Sequence, residues 1–372
     1  MNAAFISLYA DESMIQQFEG RPYINYFIDV RSACPSFYDE SMMKFIVNDE
    51  SSCYLYLAKS LYNLLKYVDY HIGLTLKYKS TPRFFFFSDT GVSQFHLQID
   101  KDYKANRKHA SVILTESEYK RSKQLQNALL LSFKRIITQV PGCFYIHLGY
   151  VETDFIPYYI LSNFNFSDDE AFIIKSNDKD LAQVLSLKTS IYQLLRHRKF
   201  GKVLLPSDKA IPFHMLKSLT ETTKQPAHLI PIYLSIAGDS SDNIQGIRGV
   251  GYKTLHSLLE TIDYHEWTND NFENLNILLN KAKPKTKRSE KILQLIQDNL
   301  GLVEKNLRLT DFKYMSEHIS STIVSDIHKA FKVTYKLSES DIRNFVSFVK
   351  QLTNNDNAYF YNIVQLMKSC QL

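Results

Sequence analysis

Ala171-Phe172-Ile173-Ile174-Lys175-Ser176-Asn177-Asp178-Lys179-Asp180 reads as a short apolar strand that runs straight into two carboxylates. Residues 171–175 suit a strand buried on both faces, the kind found in parallel sheets. The same pattern occurs at three other places. Residues 23–28 lead into Asp29, 83–87 into Asp89, and 143–148 into Glu152 and Asp154. Helical patterns at 52–68, 116–138 and 154–161 lie between these runs. Strand–helix alternation predicts an α/β fold with a mainly parallel, doubly wound sheet. The aromatic run at 84–87 needs no reading beyond sheet core.

In such a sheet the carboxyl ends of the strands share one rim, and ligands bind there. Asp29, Asp89, Glu152, Asp154, Asp178 and Asp180 therefore converge. One acid after a strand is ordinary, because helix N-caps favour Asp. Four strand ends in succession, with a Glu-x-Asp and an Asp-x-Asp pair, point to a metal site instead. Crowded carboxylates cannot all stay ionised without cations. A donor set of oxygen alone selects hard ions, Mg²⁺ or Mn²⁺. Two such ions about 4 Å apart clamp the attacking and leaving oxygens of a phosphodiester.

Further along stands Gly238-Asp239-Ser240-Ser241-Asp242-Asn243-Ile244-Gln245-Gly246-Ile247-Arg248-Gly249-Val250-Gly251-Tyr252-Lys253-Thr254. The spacing of Asp239 and Asp242 places them on one face of a helical turn, as two more ligands for the rim. Gly246, Gly249 and Gly251 precede an apolar helical pattern (Leu255, Leu258, Leu259) that Lys253 and Thr254 open. Glycines before a helix let backbone N–H groups approach a phosphate. Carboxylates for a cation beside amides for a phosphate suggest an enzyme acting on nucleic acid.

These blocks resemble the flap endonuclease and 5′-3′ exonuclease family. The 238–254 stretch is similar to its helix-three-turn-helix motif, G-D-x-x-D-N-I-x-G-I-x-G-I-G-x-K-T. Asp29 matches the first-strand Asp. Asp89-Thr90-Gly91 resembles the D-x-G before the arch, Tyr150-Val151-Glu152-Thr153-Asp154 the G-x-E-A-D/E block, and 176–181 the S-x-D-x-D-L/W block. Tyr103-Lys104-Ala105-Asn106-Arg107 resembles Y-K-x-N-R, whose Lys and Arg reach the scissile phosphate in the family. All blocks occur in the family's order, from about residue 23 to about 312, in a form closer to its bacterial and phage branch. There are departures. Phe155 stands where many bacterial and phage members carry a further acid, Val30 replaces a common Gly, and the D-x-G loop lacks a frequent Lys.

The resemblance implies a PIN-like sheet with a helical arch at about 100–138 and a helix-three-turn-helix at 231–315. An N-terminal extension (1–22) and C-terminal helices (316–372) flank the matched region, with the nuclease core at 23–230. It implies two Mg²⁺ (or Mn²⁺) at the eight acids and a K⁺ in the turn module. Lys104 and Arg107 would act on the phosphate. Tyr103 would stack on a base or pack at the sheet edge. Gly246, Gly249, Gly251, Lys253 and Thr254 would grip duplex DNA. The implied activity is a structure-specific 5′ nuclease of replication and repair, acting on flaps, nicks or RNA-primed duplexes, ribonuclease H activity included. A sliding clamp or single-strand-binding protein would be a partner. Two alternatives stand beside this reading: a non-catalytic binder of DNA structures on the same fold, and a PIN-type ribonuclease.

Composition agrees with this reading without proving it. The 372 residues, 45% hydrophobic, suffice for a large α/β domain plus a helical module. A net charge of +5 permits nucleic-acid binding, so the charge distribution has to decide. Lys104, Arg107, Lys120, Arg121, Lys123, Lys134 and Arg135 make the arch region basic, the distal charges reading also as a solvated helix face, equally so for Lys134 and Arg135. Lys281-Ala282-Lys283-Pro284-Lys285-Thr286-Lys287-Arg288 forms a second basic stretch, read as a duplex track or a surface loop. The four cysteines are scattered, which argues against zinc or a disulfide framework. With neither a secretory pattern nor a long apolar run, the expected location is cytoplasmic, the host's if phage-encoded, with no membrane partner.

Overall fold

The computed structural model describes residues 12–34, 43–44, 47–89, 93–105, 114–149, 151–176, 178, 180–188, 190–197, 201–206, 211–212, 224–225, 227–331, 338–353 and 360–369. Its centre is a sheet of β1 (Tyr23–Asp29), β2 (Thr81–Asp89), β3 (Cys143–Leu148), β4 (Ala171–Lys175), β5 (Ile191–His197) and β6 (Gly201–Pro206). The order is β3-β2-β1-β4-β5-β6. The first five strands are parallel and β6 is antiparallel to β5. Register sets the rim: Asp29 lies opposite Phe87, Ile28 opposite Lys175, and Asp89 opposite Leu148. The doubly wound α/β expectation is therefore met.

Alternate residues of each strand feed opposite cores, as the pleat dictates. Tyr26, Ile28, Phe84, Phe86 and Ile173 face one side, where α1 (Glu50–Lys77) and α2 (Glu116–Ile137) pack. Phe27, Phe85, Phe87 and Ile174 face the other, against α3 (Ile156–Asn163). Tyr26 stacks on Phe84 and Phe27 on Phe85, both at 4.8 Å between centroids. Each fully buried Phe contributes about 1.5–3 kcal/mol relative to an exposed one. The 84–87 run is sheet core, as read. Local chemistry fixes the helix starts. Asp49 caps α1 by accepting from the Ser51 and Ser52 N–H groups, and Thr115 with Glu118 forms a capping box on α2.

Beyond the sheet come α4 (Ile230–Ala237), α5 (Tyr252–Leu259), α6 (Asn271–Lys281), α7 (Lys287–Asp298), α8 (Leu300–Thr310) and α9 (Phe312–His318). Helices α4 to α8 share a third core that includes Ile232, Leu255, Leu258, Leu278, Ile296 and Leu307. The basic stretch at 281–288 divides between a short connection and the first turn of α7, capped by Thr286. Among the described residues, α10 (Ser321–Phe331), α11 (Glu339–Thr353) and α12 (Tyr361–Ser369) follow. Phe331 of α10 stacks on Phe144 at 5.4 Å, so α10 covers the β3 edge of the sheet. Phe345, Val349, Ile363 and Met367 of α11 and α12 join the α1 core. Ile15 and Phe18, assigned from sequence to an extension, are buried in that same core.

Candidate active site at the carboxyl rim

The rim gathers the acids in two groups. One surrounds Asp154. Desolvation of its carboxyl, and then the charges of Asp178, Asp29 and Glu152, push it well above the usual carboxylate range. The other is Asp180, Asp239 and Asp242, which each offer an oxygen, all within 4.8 Å of one another. Asp29, Asp89, Glu152, Asp239 and Asp242 are buried, while Asp154, Asp178 and Asp180 keep some surface in solvent.

Neighbouring groups hold these carboxylates in place. Thr153 donates to Asp89 Oδ2 from its N–H (3.3 Å) and its hydroxyl (3.2 Å). The Asp180 N–H donates to Asp178 Oδ1 at 2.9 Å. Gln193 of β5 supports that loop from below, its Nε2 donating to the carbonyls of Ser176 (3.0 Å) and Asp178 (2.8 Å). Ser241 donates to Asp239 Oδ1 from its N–H (2.9 Å) and hydroxyl (2.6 Å). The Asn306 amide of α8 donates to the carbonyls of Ser235 and Gln245, both at 2.8 Å, and so fixes the segment carrying Asp239 and Asp242.

Asp239 and Asp242 do not share a helical face. Gly238–Asp239 and Ile244–Gln245 form a small antiparallel ladder, and residues 240–243 turn between them. The Asp242 N–H donates to the Asp239 carbonyl at 3.2 Å, which closes the turn. A tight turn brings the two acids together as the predicted helix would have done.

Lys104 lies among the acids. Its Nζ is 2.7 Å from Glu152 Oε2 and 3.3 Å from Asp242 Oδ2, with 6% of the residue exposed. Burial alone would raise the Glu152 carboxyl, but Lys104 beside it holds it below its ordinary value. Lys104 has a left-handed backbone, φ +54°, and its N–H donates to the Asp242 carbonyl at 2.9 Å. Tyr103 is not open for stacking on a base. Its ring lies parallel to His96 at 4.4 Å, and its hydroxyl is 3.1 Å from both Glu152 Oε2 and Asp242 Oδ2. Burial pushes the His96 imidazole below its ordinary value. Arg107, Thr90 and Gly91 lie outside the described residues.

In the turn module, Gly246 is packed tightly against Ala237 and Gly238. A Cβ there would lie 2.2 Å from the Ala237 carbonyl. Gly249, with φ +87°, and Gly251 have nothing within 4 Å of a built Cβ, and Gly251 stands at the N-cap of α5 without a side-chain cap. Lys253 is exposed beside them and Thr254 half-buried. Phe155, in place of a family acid, is fully buried in the sheet core, 6.4 Å from the Tyr159 ring.

Sequence reading passed over Thr153, Gln193, Ser241 and His96. Thr153 was legible as the middle residue of Glu-x-Asp, whereas Gln193 and His96 depend on contacts distant in sequence. No helix among the described residues is long and apolar enough to cross a membrane.

No protein-family model matches the chain. A 5′-3′ exonuclease of Mycoplasmopsis pulmonis is 27% identical over 183 residues, which is 47% of this chain and 57% of that protein. The chain thus spans little more than half the length of this curated relative. A phage T5 protein co-crystallised with metal ions superposes with a TM-score of 0.53 at 16% identity, over 89% of this chain and 98% of the other. The phage T5 flap endonuclease, solved in a complex with DNA and metal ions, gives a TM-score of 0.50 at 16% identity, over 90% of this chain and 100% of that one. The chain has the fold of the T5 flap endonuclease and is similar in sequence to a 5′-3′ exonuclease, in agreement with the family its motifs resemble.

Proposed function

We propose that the chain is a divalent-metal-dependent, structure-specific 5′ nuclease that hydrolyses DNA phosphodiesters at single-strand/duplex junctions, RNA-primed duplexes included. The observation that carries this reading is the acidic rim, where Asp154 lies among the charges of Asp178, Asp29 and Glu152, and Asp89 is bonded to Thr153 between Glu152 and Asp154. Asp180, Asp239 and Asp242 offer oxygens within 4.8 Å of one another. This donor set fits hard cations: it is all carboxylate, largely buried, and held by hydrogen bonds at Asp89, Glu152, Asp178, Asp239 and Asp242. Asp29, Asp89, Glu152, Asp154 and Asp178 would hold one Mg²⁺ or Mn²⁺, and Asp180, Asp239 and Asp242 a second. Bound there, the ions supply Lewis-acid stabilisation of the phosphoryl oxygens and a more acidic water.

The chain's own groups do the rest. Lys104 brings a point charge to the non-bridging oxygens of the scissile phosphate. Tyr103 fixes the Glu152 and Asp242 rotamers through its hydroxyl. Gly249, Gly251 and the open N-terminus of α5 present backbone N–H groups to a duplex phosphate, with a K⁺ bridging the turn in the manner the resemblance implies. These contacts are to the backbone, so selection is by DNA structure and not by base sequence.

The test is product mapping with 5′-labelled flap, nicked and single-stranded DNA in Mg²⁺. Release of the flap at or next to the junction is expected. Cleavage of RNA alone, indifferent to duplex, would favour a PIN-type ribonuclease instead.

A further inference from the structure

We propose that the Lys104 ammonium is a built-in counter-cation: it neutralises Glu152 and Asp242, one carboxylate from each candidate metal group, and is displaced toward the substrate phosphate when an ion enters either group. The inference rests on the nuclease reading of the rim and adds an order of events to it. Lys104 touches both carboxylates, at 2.7 and 3.3 Å. An ion bound to those oxygens would sit within contact of the ammonium, where like charges repel strongly. The two cations therefore compete.

The surroundings allow the side chain to leave while the backbone stays. The Lys104 N–H donates to the Asp242 carbonyl at 2.9 Å, a backbone bond that does not involve the ammonium. The Asn243 amide donates to the Asp102 carbonyl at 2.7 Å, and Lys305 pairs with Asp100 at 2.8 Å, so the segment before Lys104 is fastened to the module from two sides. The Tyr103 hydroxyl, 3.1 Å from both carboxylates, makes its contact without using the ammonium. What moves is a flexible four-carbon stem ending in a compact charge. Without an ion, Lys104 neutralises the buried acids and is withheld from DNA. With an ion in place, those acids are neutralised by the metal and Lys104 is released for the phosphate. Metal binding thereby arms a phosphate contact.

Mn²⁺ binding to the full chain without DNA, followed by isothermal titration calorimetry, tests this. An opposite charge within about 4–6 Å shifts a carboxylate's proton equilibrium by about one to three units, so loss of the competing ammonium should act on ion affinity by about ten-fold or more. Lys104→Met, similar in length and uncharged, should bind Mn²⁺ about ten-fold more tightly at the affected step, and Lys104→Arg should stay near wild type. Equal or weaker Mn²⁺ affinity in a folded Lys104→Met protein overturns the inference and leaves the nuclease reading standing. Absence of Mn²⁺ binding to any of the three proteins would overturn that reading and this inference with it. A second measurement needs no variant: reductive methylation of Lys104 in the wild type, read by peptide mass spectrometry, should speed up on adding Mn²⁺. Unchanged or slower methylation contradicts displacement.

Discussion

Gly246 and Gly249 stand in one motif and are glycine for different reasons. At Gly246 a Cβ would meet the Ala237 carbonyl at 2.2 Å and the Gly238 nitrogen at 2.5 Å. Gly246→Ala should therefore cost about 3 kcal/mol or more in thermal unfolding, through backbone displacement. At Gly249 there is open space but φ is +87°. Gly249→Val should cost only about 1–2 kcal/mol of strain, keep its circular dichroism, and lose affinity for duplex DNA by placing a side chain where a phosphate approaches. Paired affinities on a flap and on a single strand of equal length check this; equal losses on both would remove duplex selection from the segment. From sequence the two glycines look alike, because the clash at Gly246 involves residues 237 and 238 across the ladder. The eight acids were legible because each follows an apolar run or sits in the turn motif. The Tyr103–His96 stack was not, since neither residue signals a partner.

At the scale of elements, α12 is clamped to α1 by hydrogen bonds beside its apolar contacts. The Asn362 amide of α12 donates to the Asp69 carbonyl (3.0 Å) and Oδ2 (3.2 Å), and the Ile363 N–H donates to Asp69 Oδ1 (2.9 Å). Gly73 in α1 makes room, since a Cβ there would lie 2.8 Å from the Asn362 amide nitrogen. Gly73→Ala should lower stability in the wild type, yet raise it by about 1 kcal/mol in an Asn362→Ala background, where only helix propensity remains. A thermal double-mutant cycle reads that change of sign; additivity would mean the clamp does not exist. Asp311, the N-cap of α9, gives a pH test. Burial, only partly offset by bonds from Asn271 and the Lys313 N–H, pushes its carboxyl up to about 6. The native state thus holds this proton more tightly than the unfolded chain, so Asp311 favours folding most below the usual carboxylate range, and that contribution is lost as pH rises through about 6. Asp311→Asn keeps an acceptor for the Lys313 N–H, loses the one for the Asn271 amide, and cannot ionise, so its constant cost does not vary with pH. Its unfolding free energy relative to wild type should rise from about pH 4 to about pH 6 in urea titrations, and a flat difference would contradict the assignment. Four strands were readable from their unbroken apolar character. The fifth was not, because Gln193 in its middle is spent on the Ser176 and Asp178 carbonyls.

For the whole molecule, sheet and helical module meet at the acids, and neither supplies the site alone. Strand ends give six carboxylates and the turn after α4 gives Asp239 and Asp242. Lys104 and Tyr103 bridge the two through Glu152 and Asp242. The mainly parallel sheet followed from the alternation of patterns along the chain, and its order did not. The burial of Ile15, Phe18 and the last two helices against α1 did not, because such packing leaves no local spacing to read. The most direct measurement of the central claim is cleavage of a 5′-labelled flap by wild type and by Asp180→Ala, with Mg²⁺ and with a chelator. The account predicts junction cleavage by wild type in Mg²⁺, none with the chelator, and a loss of about two orders of magnitude or more in Asp180→Ala, which still folds and binds DNA. A folded wild type that binds the flap yet never cuts it in Mg²⁺ or Mn²⁺, or an Asp180→Ala protein that cuts at the wild-type rate, would show that the rim is not a nuclease site.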